Sequence, residues 1–222
     1  MAADHTMLIL CDFDGTITER DATDTVWNGR IPQAKRDEMA NNVLEGRWTM
    51  LEYIAHGYRF VRLSPTELLT ELRATVQLRK GWDRFIAAVH GHHVKLHIVS
   101  NGLQFYIREY VPASVPVACY EAEFDGAYRV KLPPGFELSK GEEFKVKCVR
   151  ELMAGYLRNQ VVYIGDGRAD FEPALLCQRI FAVRESRLAR ECRAHAIGTV
   201  EFDSFDTITE CLFPNVAAQV RA

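Results

Sequence analysis

The sequence predicts an α/β fold: a mostly parallel, doubly wound sheet with helices on both faces, an inserted helical cap and a small β-hairpin insertion. Three observations carry this reading. Short apolar runs at 7–11, 94–99, 161–164 and 180–183 lack polar alternation, as strands buried on both faces do. Amphipathic helical stretches lie between the runs, as crossover connections require. The stretch 19–78 breaks this rhythm, with helical periodicity and no convincing strand. The layering is Rossmann-like.

In chain order, the run 7–11 is the first strand, and it ends at Asp12-Phe13-Asp14-Gly15-Thr16. Helical segments at 22–27, 33–44, 49–60 and 65–76 make the cap. Ser64-Pro65-Thr66-Glu67 reads as a helix start, with a serine cap, proline in the first turn and glutamate three residues after the cap. A helix at 82–90 precedes the strand 94–99, which leads into Ser100-Asn101-Gly102. The segments 119–124 and 127–132 flank Asp125-Gly126, a favoured hairpin turn. Helices at 142–157 and 171–177 flank the strand 161–164, and one at 205–212 closes the fold. Residues 1–18 and 79–222 therefore form the core, 19–78 the cap and 118–138 the hairpin insertion. A cap inserted there hangs over the carboxyl ends of the strands, where open α/β sheets bind ligands.

Composition narrows the partners. The chain has 222 residues, is 48% hydrophobic and has a formal net charge of -3. Lys and Arg are scattered, which argues against a nucleic-acid partner. Six cysteines stand apart with no CxxC pair, so buried reduced thiols and a cytoplasmic location are expected rather than zinc clusters. Met1-Ala2-Ala3-Asp4-His5-Thr6 lacks the features of a signal peptide, and no apolar run reaches the roughly 18 residues of a membrane helix. A homodimer is allowed by this pattern and not required by it.

The chemistry gathers at strand ends. Asp12 and Asp14 emerge where the first strand stops, beside a glycine and a hydroxyl. Read functionally, they are a metal-bound nucleophile and a general acid/base; read blandly, they are turn residues. Gly165-Asp166-Gly167-Arg168-Ala169-Asp170 follows another apolar run. Asp166 would complete an oxygen-rich site suited to Mg2+. Asp170 would hold a metal-bound water or orient a lysine, or simply favour a helix start. Ser100-Asn101-Gly102 offers a hydroxyl and backbone amides at a helix start, a cradle for phosphate or an ordinary turn. A lysine is needed to offset phosphate charge; Lys140, Lys145 and Lys147 all sit near a helix start, and spacing does not choose among them. His92, His93 and His97 make no metal set. Trp27, Trp48 and Trp82 read as packing residues, and Arg168 points either to substrate or to solvent.

These signatures, in this order, resemble the haloacid dehalogenase superfamily, over nearly the whole chain. The helical cap and hairpin resemble its phosphoserine phosphatase-like branch. The resemblance implies a Mg2+-dependent phosphatase in which Asp12 attacks phosphorus to form an aspartyl-phosphate. Asp14 would protonate the leaving oxygen and then activate water. Mg2+ would be held by Asp12, the backbone carbonyl of Asp14, and Asp166, with Asp170 in support. Thr16, Ser100 and the amides of Asn101 and Gly102 would hold phosphate oxygens. Lys145 fits the family lysine best, with Lys147 as the second choice.

The implied partner is a small-molecule phosphate ester. In phosphoserine phosphatases a cap acid grips the amine and a cap arginine grips the carboxylate. Asp21 matches the acid and is expected to bind substrate; Ala55 and His56 stand where the arginine belongs, and Arg59, about one helical turn away, is the residue expected to substitute for it. Alanine or histidine does not replace a bidentate guanidinium, so phosphoserine is disfavoured. The signatures are more similar to the group containing 2-hydroxy-3-keto-5-methylthiopentenyl-1-phosphate phosphatase. A phosphomutase of the same fold is the alternative; a binding or structural role leaves the set of carboxylates unexplained.

Overall fold

The computed structural model describes residues 7–214; residues 1–6 and 215–222, assigned to the core on sequence, lie outside the described residues. In chain order the strands are β1 (Leu8–Cys11), β2 (Lys95–Leu103), β3 (Val117–Phe124), β4 (Tyr128–Lys131), β5 (Val161–Gly165), β6 (Arg179–Val183) and β7 (Val200–Phe202). They form one sheet in the order β4-β3-β2-β1-β5-β6-β7. All neighbours are parallel except β3 and β4. Every side chain of β1 is buried, as a central parallel strand demands. β2 flanks β1 on one side and β5 on the other, so the strand order reverses at β1. Open α/β sheets bind ligands at such a switch point, beyond the carboxyl ends of the strands.

The cap contains α1 (Ala22–Trp27), α2 (Gln33–Leu44), α3 (Met50–Tyr58) and α4 (Pro65–Thr75). The capping box expected at Ser64 is present: Ser64 N donates to Glu67 Oε2 at 2.7 Å, and Glu67 N to Ser64 Oγ at 3.4 Å. The chain enters and leaves the cap through two paired segments. Thr18 bridges Leu78, Glu19 N donates to Gln77 O at 2.9 Å, and Arg79 N donates to Ile17 O at 2.7 Å. Within the cap, Trp27 packs edge-on against Tyr53 and Tyr58, with ring centroids 5.1 and 5.9 Å away. Tyr58 also meets Tyr128 of β4 at 5.5 Å, which seats the cap on the sheet edge.

The remaining helices are α5 (Trp82–Gly91), α6 (Gln104–Tyr110), α7 (Phe144–Leu152), α8 (Phe171–Leu175), α9 (Arg187–Ala194) and α10 (Phe205–Leu212). Four features differ from the sequence reading. First, β2 runs on to Leu103, so Ser100-Asn101-Gly102 ends a strand and the helix begins only at Gln104. Second, the expected hairpin is present, but β3 starts earlier, at Val117, and also pairs in parallel with β2 before turning back into β4. Third, α7 stops at Leu152, short of 157, and the chain then turns through Gly155 at φ +91. Fourth, α9 and β7 carried no signal strong enough to read. The buried face of α9 is Leu188, Ala189 and Cys192, set among three arginines; β7 has only three residues.

Five of the six free cysteines are buried; Cys211, on α10, is exposed, against the expectation from its amphipathic surroundings. No described helix is long and apolar enough to cross a membrane.

Candidate active site

The site lies beyond the carboxyl ends of β1, β2 and β5. Asp12 continues β1, its N–H donating to Ile164 O at 2.9 Å. Its carboxylate is 4% exposed. Lys145, from the first turn of α7, reaches it: Nζ lies 2.5 Å from Asp12 Oδ1 and 2.7 Å from Asp170 Oδ1. The other lysines lie elsewhere. Lys147 donates to Glu137 O at 2.5 Å, and Lys140 is exposed. Of the three candidates, the fold brings only Lys145 to the carboxylates.

Asp170 is fully buried and bonded through both oxygens. Oδ1 accepts from Lys145 and, at 2.7 Å, from the Tyr163 hydroxyl; Oδ2 accepts from Asp166 N at 3.1 Å and Gly167 N at 2.8 Å. It therefore fixes both Lys145 and the turn that carries Asp166. Asp166 Oδ1 accepts from the Thr16 hydroxyl at 2.9 Å. Gly15 makes room for the other oxygen: at φ +75, a Cβ there would fall 2.5 Å from Asp166 Oδ2. Neither the dihedral nor the space suits another residue.

Carboxylate oxygens of Asp12, Asp166 and Asp170 lie within 4.8 Å of one another. One lysine does not balance three acids in so dry a place. Burial and the neighbouring Asp170 push the Asp12 carboxyl up from 3.8 to about 6, with Lys145 holding it down. Burial, then Asp12 and Asp170, push Asp166 well above the ordinary range. A divalent cation would relieve that repulsion, and the all-oxygen donor set fits a hard ion. Asp170 is saturated by its four donors, so the residues present fit a metal between the Asp12 and Asp166 carboxylates.

Asp14 sits across the site on the turn after β1. Ala22 N donates to its Oδ1 and the Tyr106 hydroxyl to its Oδ2, both at 2.9 Å. Burial, then Asp21 and Asp12, raise its carboxyl well above the usual range. Ser100 is buried, and its Oγ accepts from Gly102 N at 2.9 Å. The Gly102 amide is thus bonded to Ser100 within the end of β2, and it does not stand at a helix start.

A cavity of about 570 Å³ opens from these groups towards the cap. Its cap wall is Trp27, Val43, Met50, Tyr53 and Ile54, with Asp21, Thr23 and Asp24 beside them. Asp12, Asp14, Asp21, Ser100, Asn101, Gly102, Lys145, Asp166 and Asp170 all reach it, as does Arg168. Two expected residues do not. The Thr16 side chain is turned beneath the floor onto Asp166, and Arg59 caps the C-terminal end of α3 outside the cavity. Trp27 is fully buried behind the cavity wall and packs there as expected. Trp48 instead stacks on His56, with ring centroids 4.1 Å apart.

Sequence reading missed Tyr163, Tyr106, Thr23 and Arg79. The half-buried Arg79 guanidinium donates to Thr16 O at 2.8 Å and Gly15 O at 2.7 Å, pinning the loop that carries Asp14. Its one signal in sequence is its place at the cap's exit. Tyr163 is marked only by a hydroxyl within an otherwise apolar run.

The chain matches the haloacid dehalogenase-like hydrolases over residues 9–174. It is 25% identical over 211 residues to a 2-hydroxy-3-keto-5-methylthiopentenyl-1-phosphate phosphatase of Bacillus cereus, covering 90% of this chain and 93% of that protein. An Exiguobacterium protein of the same name is 25% identical over 209 residues, covering 90% and 94%. Among solved structures, a phospho-aspartyl intermediate analogue of phosphoserine phosphatase superposes with a TM-score of 0.70 at 15% identity, covering 92% of this chain and 97% of that one. A HAD family hydrolase of Salmonella enterica serovar Typhi gives 0.72 at 16% identity, covering 92% and 70%. The acidic centre and the fold are those of a phosphoric monoester hydrolase with a catalytic aspartate cluster. The chain belongs to the haloacid dehalogenase-like hydrolase family; it is similar in sequence to the methylthiopentenyl-phosphate phosphatases and in fold to phosphoserine phosphatase.

Proposed function

We propose that the protein is a Mg2+-dependent phosphomonoesterase that cleaves a small phosphorylated metabolite through an aspartyl-phosphate on Asp12. The observation that carries this is the asymmetry of the Asp12 carboxylate: Oδ1 is held by Lys145 at 2.5 Å, while Oδ2 has only the Thr16 hydroxyl, at 3.4 Å. One oxygen is anchored and the other is left to react.

Asp12 Oδ2 forms the bond to phosphorus as the ester oxygen leaves. Asp14 gives its proton to that oxygen, then takes one from the water that attacks the phosphoenzyme. Lys145, Ser100 and the Asn101 amide hold phosphoryl oxygens, while Asp170 keeps Lys145 aimed. Mg2+ would be held by Asp12, the Asp14 carbonyl and Asp166, and when bound it supplies charge neutralisation and alignment. The cap covers the site and excludes bulk water from the phosphoenzyme.

For the substrate, Asp21 and Asp24 beside the apolar part of the cap wall disfavour an organic part that carries a carboxylate. The cap residues lining the cavity include no arginine, and His56 bonds to the Glu52 carbonyl at 2.8 Å. The ketone phosphate acted on by the curated relatives fits such a wall, with Asp21 facing its polar end. The test is phosphate release from a panel that includes this compound, phosphoserine, and sugar, polyol and nucleotide phosphates, with Mg2+ and with excess chelator. Mg2+-dependent release from one compound far above the others is expected. Isomerised phosphate ester without free phosphate would instead assign a mutase.

A further inference from the structure

We infer that Tyr106, backed by Thr23 of the cap, is the residue that positions Asp14 for proton transfer to the leaving group. The inference rests on the acid/base reading of Asp14 given above.

Asp14 lies on the turn after β1. Two donors fix the plane of its carboxylate. One is the backbone N–H of Ala22, at the start of α1; the other is the Tyr106 hydroxyl, from α6, at 2.9 Å. Tyr106 is fully buried, and Phe13 and Phe105 pack around its ring, with centroids 6.1 and 5.5 Å away. Its hydroxyl has a second partner, Thr23 Oγ1, at 3.0 Å. Thr23 is itself 5% exposed, so this bond is made in a dry place. The phenol donates to Asp14 and accepts from Thr23, which leaves it one orientation.

Gly102 gives this arrangement its room. A Cβ at 102 would lie 2.2 Å from the Tyr106 hydroxyl and 2.5 Å from Asp14 Oδ2. The end of β2 therefore carries glycine at 102 for the space the Asp14–Tyr106 bond occupies, with its own amide bonded to Ser100. Cap and core meet at this point: α1 supplies Ala22 and Thr23, α6 supplies Tyr106, and Asp14 lies between them. A cap displaced from this position would take away one of the acid's two donors, Ala22 N, and the Thr23 hydroxyl that backs the other.

The experiment compares kcat/KM for benzyl phosphate and p-nitrophenyl phosphate, two probes of similar size. Benzyl alkoxide needs a proton to leave; p-nitrophenolate does not. The ratio of the two kcat/KM values therefore reads general-acid function at the first irreversible step. Tyr106→Phe, which keeps the ring, should lower the benzyl-to-nitrophenyl ratio about tenfold or more, part of the ~100- to 10,000-fold that a positioned acid contributes. Thr23→Val should lower it in the same direction, and Thr23→Ser should restore it. An unchanged ratio in Tyr106→Phe, with Asp14→Asn lowering it, overturns the inference and leaves the role of Asp14 standing. Equal losses on both probes reduce Tyr106 to a packing residue and also overturn it. A ratio unmoved by Asp14→Asn removes the acid assignment itself, and the inference with it.

Discussion

Lys145 and Asp12 form a buried ion pair, with Nζ 2.5 Å from Oδ1 and each side chain 5% exposed. The two residues lie 133 positions apart, one just past β1 and the other in the first turn of α7, and Asp170 grips the same ammonium at 2.7 Å. Removing one partner from a buried pair leaves the other charge uncompensated, at about 3–5 kcal/mol. Lys145→Ala should therefore cut turnover by about a hundredfold or more and lower Tm, while Lys147→Ala should leave both close to wild type. Steady-state rates and thermal melts check this; the reverse order would move the phosphate-binding lysine by two positions.

The carboxylate cluster gives stability a definite pH dependence. Asp12 is raised from 3.8 to about 6 by burial and Asp170, and Asp166 is also raised, by burial and then by Asp12 and Asp170. Raised carboxyls hold protons in the folded state that the unfolded chain has released. The metal-free protein should then be most stable below about pH 4 on this account, losing that contribution as pH rises through 6 and beyond. A divalent ion competes with those protons, so added Mg2+ should raise Tm more at pH 7.5 than at pH 5. Melts across pH, with and without Mg2+, test this; an equal Mg2+ shift at both values would place the ion elsewhere.

Gly57 carries the cap wall. A Cβ there would lie 2.1 Å from Trp27 Cζ2, inside the ring that packs over it. Overfilling such a contact costs about 1–3 kcal/mol. Gly57→Ala should displace Trp27, raise KM for the preferred substrate several-fold, and leave Mg2+ affinity at the wild-type value. Titration calorimetry with Mg2+ beside the kinetics separates a cap effect from a core effect.

Arg79 should act through the backbone. Its bonds to the Gly15 and Thr16 carbonyls hold the loop on which Asp14 depends. A charged donor to a carbonyl is worth about 1.5–3 kcal/mol, and lysine does not reproduce a two-pronged donor. Arg79→Lys and Arg79→Met should both lower Tm and kcat. Full rescue by lysine would show that charge alone matters there.

The acids were legible because they end apolar runs: a strand followed by Asp-x-Asp-Gly or Gly-Asp says where the chain emerges and with what chemistry. Asp12, Asp14, Asp166 and Asp170 do meet at one place. The lysine was not legible from spacing, since Lys140, Lys145 and Lys147 share one helix start and only the fold decides which points inward. The direction of the Thr16 hydroxyl was equally hidden, because its acceptor, Asp166, lies 150 positions away. Arg59 was offset by about one turn of α3, enough to place it outside the cavity. The hairpin turn at Asp125-Gly126 was clear, but the pairing of β3 with β2 is a non-local register that no local pattern states. Tyr106 and Tyr163 looked like hydrophobic bulk; their hydroxyls acquire meaning only from the carboxylates beside them.

The most direct measurement traps the phosphoenzyme. Wild type and Asp14→Asn would be mixed with p-nitrophenyl phosphate and Mg2+, quenched, reduced with borohydride and mapped by peptide mass spectrometry. The modification should fall on Asp12 alone, and it should accumulate in Asp14→Asn, which lacks the base for hydrolysis. Phosphate release with no modified aspartate, or with the label on Asp166 or Asp170, would contradict Asp12 as the nucleophile.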